Sequence, residues 1–207
     1  MPSWAKGTEL GSRAIAARAR TRQLRLGVLL LALFPVLAVA KDSFRIEYFT
    51  IRGSTASDLR ADLKRLGPVG ETGIRGDAYT EYRIAWKFSM NFKDGSCRAR
   101  DAGVDLDVRM LLPRWEQSPE VPSELVQTWD RFSAVLREHE DGHHRIAVAA
   151  AKEVRRKLGK RTRAASCEAL KVKLDDTVNT VLREYRKKQA DFDADTDFGR
   201  KQTSGML

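Results

Sequence analysis

His139-Glu140-Asp141-Gly142-His143 is the stretch whose residue types and spacing most directly permit chemistry. The chain has three histidines, His139, His143 and His144, all in one short run. Two histidines four apart on a helix lie on one face, one turn above the other. Imidazoles so placed reach a single Zn²⁺ at about 2.0–2.1 Å each. The residue after the first histidine is glutamate, the position of the general base in zinc metallopeptidases. The motif predicts a zinc hydrolase in which His139 and His143 bind metal and Glu140 accepts a proton from the water that the metal activates.

The flanking residues predict the helix that must position this motif. From Pro122 to Leu158, the residues Leu125, Trp129, Phe132, Leu136, His139, His143, Ile146 and Ala150 recur at spacings of three and four. That is one stripe of an amphipathic helix facing a core. Two histidines on a buried stripe need a polar partner, and a metal ion is the simplest one they can share. Ser123 is the expected N-cap, and Glu124 suits the first turn. Arg155, Arg156 and Lys157 before Gly159 suit the last.

The residues before this helix read as strands. Phe44 to Ile51 alternates and is bounded by Gly53. Thr55 to Leu66 predicts a short amphipathic helix stopped by Gly67-Pro68, and 69–77 a glycine-rich loop. Tyr79 to Phe92 and Cys97 to Leu112 predict two strands joined at Asp94-Gly95, with Pro113 ending the second. A second long helix is expected from about Cys167 to Ala190, with Leu170, Leu174, Val178, Val181 and Tyr185 near one face. The remainder, Asp191 to Leu207, is expected to be an acidic tail, flexible after residue 200. The fold class expected is α+β, with a small antiparallel sheet packed on two long helices in a zincin-like arrangement.

Residues 1–40 read as a signal peptide. Arg18, Arg20, Arg22 and Arg25 precede an apolar run from Leu26 to Val39, and Ala38-Val39-Ala40 is a small-x-small cleavage site. The domain expected is therefore residues 41–207, periplasmic or secreted, with membrane attachment only if the segment stays uncleaved. This segment carries a net +5 of the chain's +10, so the domain itself is mildly basic. That charge does not demand nucleic acid, and the partner expected is a peptide or protein substrate. An oxidising compartment permits disulfides, and Cys97 and Cys167, the two cysteines of the chain, are expected to pair. Their flanks show no metal-ligand spacing.

Several features together resemble a known family. A strand ends in Gly53, followed by Leu66-Gly67-Pro68, Trp86, Cys97 and Leu112-Pro113-Arg114-Trp115. Then come Trp129, the His139–His143 motif, Cys167, and a tail with Asp193, Thr196, Gly199 and Gln202. From about Tyr48 to Gln202 the chain is similar to the bacterial predicted secreted zinc-dependent proteases, domain of unknown function 922. The family's tail pattern is Tyr-Asp-x-x-Thr-x-His-Gly, and here Phe192 and Phe198 stand where its tyrosine and histidine would be.

A histidine at 198 would be the natural third ligand, and Phe198 cannot bind metal. His144 points about 100° away from His143 around the helix. Carboxylates are ordinary zinc ligands, and two histidines with one carboxylate is a known catalytic set. The third ligand expected is Asp193 or Asp197, with Asp195 on the same stretch and Glu168 as a further candidate. Tyr185 and Arg145 are candidates for the donor that would stabilise the reaction's oxyanion.

The resemblance and the motif imply a secreted zinc metallopeptidase. The alternatives from other classes are a zinc protein without turnover, in which a closed fourth ligand marks a structural site, and an exported binding module, which would hold no stoichiometric metal.

Overall fold

Alternating side chains in the first half fold as strands, and the period-of-3.6 stripe in the second half folds as helices. The computed structural model describes residues 41–70 and 73–207, and the proposed signal peptide lies outside them. In order the elements are β1 (Asp42–Arg52), α1 (Ala56–Leu66), β2 (Tyr79–Lys93), β3 (Ser96–Glu116), α2 (Ser123–Leu158), β4 (Arg163–Ala164), α3 (Cys167–Thr196) and α4 (Arg200–Thr203).

The sheet is mixed, which corrects the expectation of an antiparallel one. β3 is central, pairing antiparallel with β2 and parallel with β1, while the two-residue β4 pairs at Cys97 and Arg98. α1 carries the chain from β1 to β2, which runs the other way, and the hairpin at Asp94-Gly95 then reverses it again. β3 is thereby left parallel to β1. Pro113 does not end β3, which continues to Glu116 with Pro113 opposite Phe49. Pairing with β2 stops at Leu111, so beyond it one side of β3 has no described partner strand. A residue lacking an N–H is tolerated there.

One face of the sheet is solvated and the other buried. On the outer face Arg45 pairs with Asp107 and Glu47 with Arg109 across β1 and β3. On the inner face Val104, Leu106, Val108, Met110 and Leu112 are buried beneath α2. Along α2 the packing changes character. Its first half sets Trp129, Phe132 and Leu136 against Ile51 of β1, Leu59 and Leu63 of α1, and Trp115. Its second half lays Ala147 and Ala151 flat on Leu106 and Val108, and Val154 and Leu158 against Leu170, Leu174 and Val178 of α3. The small side chains bring α2 close to the sheet, and the buried stripe there runs through Ala147 while Ile146 is only half-buried. The histidine motif lies between the two halves.

Two terminal features differ from expectation. α2 is capped by Pro122, with no side-chain hydrogen bond, and Ser123 is its first helical residue. α3 does not stop near Ala190 but continues to Thr196. Its N-terminus is capped by Ser166, which accepts from the Ala169 amide, and Cys167 is bonded to Cys97. The residues after 200 form α4, where Thr203 is buried, and Met206 and Leu207 pack on the core around Phe132. Among the described residues no helix is long and apolar enough to cross a membrane.

Candidate metal centre

The centre is built where α2 and the last turns of α3 meet. His139 and His143 project from one face of α2, and Asp193 reaches them from α3. His139 Nε2 and His143 Nε2 are 3.3 Å apart. Asp193 Oδ1 lies 3.0 Å from His143 Nε2 and 3.6 Å from His139 Nε2. Among the described residues these three offer ligand atoms close enough to share a metal ion. Two ligands at about 2.0–2.1 Å on a tetrahedral ion stand about 3.3–3.4 Å apart, and the three separations lie close to that spacing.

The outer nitrogens of both rings are held. His143 Nδ1 is 2.6 Å from Gln189 Oε1, and Gln189 Nε2 donates to the His143 carbonyl at 3.0 Å. His139 Nδ1 is 3.0 Å from Gln202 Oε1 of α4. Metal-binding histidines characteristically direct the second ring nitrogen to such an acceptor, which orients the ring. Phe192 stacks on His139 at 5.0 Å between centroids and meets His143 edge-on.

Gly142 makes the approach of the two helices possible. A Cβ there would lie 2.4 Å from Phe192 Cζ. Gly199 plays a similar part for the tail, since a Cβ on it would stand 3.2 Å from His139 Cγ. Asp197, Phe198 and Gly199 all have positive φ, which turns the chain back from α3 into α4 and brings Gln202 to His139. Such backbone is uncommon for a bulky residue such as Phe198.

The electrostatics follow from burial and proximity. Burial raises the Asp193 carboxyl, but hydrogen bonds and charge from His139 and His143 outweigh it and hold the group well below the usual carboxylate range. For His143 burial opposes the charged form, yet Asp193 and Gln189 together raise its pKa above the ordinary histidine value. Glu140 is 4% exposed, and burial drives its carboxyl upward against the pull of Thr80 and the two imidazoles. Its Oε2 has no hydrogen-bond partner among the described residues. A buried, unsatisfied carboxylate oxygen is costly and persists where it has a use. Thr80 of β2 donates to the Glu140 carbonyl at 3.4 Å, tying the motif to the sheet.

The other residues singled out from the sequence lie elsewhere. Asp197 caps α3 and pairs with Arg200 at 2.8 Å. Asp195 is helical, and Glu168 lies in the first turn of α3. Arg145 pairs with Glu138, Tyr185 packs beside Lys188, and His144 stacks on Phe44 of β1. Gln189 was not singled out from the sequence, and Gln202, Phe192 and Gly142 were noted there without the contacts they make at the site. The spacing 189, 192, 193, 196 marks one helical face and would have set Gln189 and Phe192 beside Asp193, had the helix been extended past Ala190.

An α+β protein that brings two helical histidines and one aspartate to a common point is what the fold and the site together define. The chain belongs to the bacterial protein family of unknown function DUF922, which matches residues 46–199. No curated protein and no solved structure matches it.

Proposed function

We propose that this chain is an exported, zincin-like zinc metallopeptidase, with His139, His143 and Asp193 as ligands and Glu140 as general base. The observation that carries the reading is the convergence of two Nε2 atoms and one carboxylate oxygen beside a buried glutamate with an unused oxygen. Zinc, when bound, supplies an activated water and polarises a peptide carbonyl. Glu140 takes the proton and returns it to the leaving amine, and its raised pKa brings it nearer the working pH of such a shuttle. Asp193 stays anionic and compensates the metal's charge. The Cys97–Cys167 bond is compatible with an exported protein.

The test is zinc per chain in the purified full-length protein, together with hydrolysis of an unfolded protein substrate. Glu140→Gln should retain zinc and lose turnover. Turnover that survives in Glu140→Gln removes Glu140 from the mechanism, and a zinc-free wild type removes the metal. One observation favours a second reading: His139 is only 3% exposed. The metal would then be a structural staple between α2 and α3, with no turnover to lose.

A further inference from the structure

We propose that Gln189 is a positioning residue that holds His143 as its Nδ1–H tautomer and so aims the Nε2 lone pair at the metal position. The inference rests on the metal-site reading above. Gln189 touches the same residue twice. Its amide nitrogen donates to the His143 carbonyl at 3.0 Å, a bond that only the NH₂ end can make. This settles which end of the amide is which, so the atom 2.6 Å from His143 Nδ1 is the oxygen. An amide oxygen only accepts, and Nδ1 must therefore carry the hydrogen. A neutral imidazole carries one such hydrogen. In the neutral ring Nε2 is left with a lone pair for a metal ion at the point it shares with His139 Nε2, 3.3 Å away, and Asp193 Oδ1, 3.0 Å away, whereas in the protonated ring the same nitrogen donates to Asp193.

One helix thus delivers a ligand and the clamp for another ligand. Gln189 and Asp193 are four apart on α3 and share a face. Gln202 stands in the same relation to His139 from α4. Both outer partners are neutral amides. A carboxylate there would increase the basicity of the ring, whereas an amide orients it without adding charge to the site.

Two readouts on the full-length protein separate this inference from the metal reading. The first is side-chain ¹⁵N NMR of the metal-free protein at alkaline pH, where the ring is neutral and its tautomer is read without metal. Wild-type His143 should be Nδ1–H, Gln189→Leu should convert it to Nε2–H, and Gln189→Glu should keep Nδ1–H. A wild-type His143 found as Nε2–H overturns the proposal, whether or not the protein binds zinc. The second is competition for Zn²⁺ against a chromophoric chelator. Gln189→Leu should bind roughly 10–100-fold more weakly, and Gln189→Glu should recover the loss. Equal affinity in wild type and Gln189→Leu, with unchanged circular dichroism, overturns it as well.

Discussion

The two ends of α3 are held by different chemistry. Its first residue, Cys167, is covalently tied to Cys97 of β3, and the flanking β4 pairs beside that bond. About 39 Å further along the helix, the last turns are held by contacts alone: Phe192 against both imidazoles and Gly142, Asp193 against His139 and His143, and Gln189 around His143. The first end needs only oxidation. The second gathers two imidazole nitrogens and a carboxylate, a group that could hold a metal ion. It is also the weaker end by local criteria. Asp191, Asp193, Asp195 and Asp197 crowd a helix C-terminus, where negative charge is unfavourable. Three of the four are met by an opposite partner: Asp191 by Lys187, Asp197 by Arg200, and Asp193 by the imidazoles. The covalent end places the helix, and on the proposed metal reading the acidic end is where binding a cation would change its stability.

Breaking the covalent end should have the largest effect. Cys97→Ser with Cys167→Ser opens a loop of 70 residues and should lower unfolding free energy by roughly 4 kcal/mol in the chain-entropy account. Hydrogen exchange should then accelerate over the first turns of α3 while 189–193 stay protected in the presence of zinc. Equal acceleration at both ends would mean that the two attachments are not independent.

Breaking the acidic end should cost metal. Asp193→Ala should weaken zinc binding by roughly 10²–10³-fold, about one ligand's share of a typical site's binding energy. Asp197→Ala should leave it nearly unchanged, because Asp197 is paired with Arg200. Reversed outcomes would transfer the ligand role to Asp197.

A smaller effect probes the contact between helices. Gly142→Ala places a methyl group on the Phe192 ring and should destabilise by about 1–3 kcal/mol in thermal or denaturant unfolding. Phe192→Leu in the same background should recover part of the loss. Additive losses would show that the two residues do not meet.

The smallest effect is in pH. His143 must lose its proton to bind metal, and its pKa is raised, so zinc affinity should fall by about tenfold per pH unit below that value. The metal-free protein should respond in the opposite sense. A raised His143 pKa contributes stability that is present at low pH and lost as pH rises through it. The depressed Asp193 pKa contributes stability that is present above its unfolded value and lost as pH falls through the folded one. The metal-free site should therefore be most stable between the two. Stability that increases with pH across the His143 transition would contradict the assigned contacts.

Much of the fold was legible because its signals are local. The stripe from Leu125 to His143 named both the helix and its buried face, and alternation named β1, β2 and β3. The errors occurred where a local rule lost to a neighbour. Pro113 reads as a stop, yet it is accommodated because β2 has already ended. Ser123 reads as a cap, yet the helix begins one residue earlier than such a cap would allow. Parallel pairing of β1 with β3 depends on where distant strands settle, and no window of sequence records it.

The sequence by itself determined the pair of helical histidines, the glutamate beside them and the two cysteines available to pair, because spacing along one element needs no knowledge of others. Which of Asp193 and Asp197 stands beside the imidazoles was decided only by the tertiary structure. Acids at a helix end argue against helix by charge, and contacts with α2 reverse that balance. Once α3 continues through residue 193, Asp193 faces the imidazoles one turn beyond Gln189, and Asp197 is carried past them to Arg200. A group of side chains drawn from two helices depends on how they cross, and Gly142 beneath Phe192 sets how closely they do so.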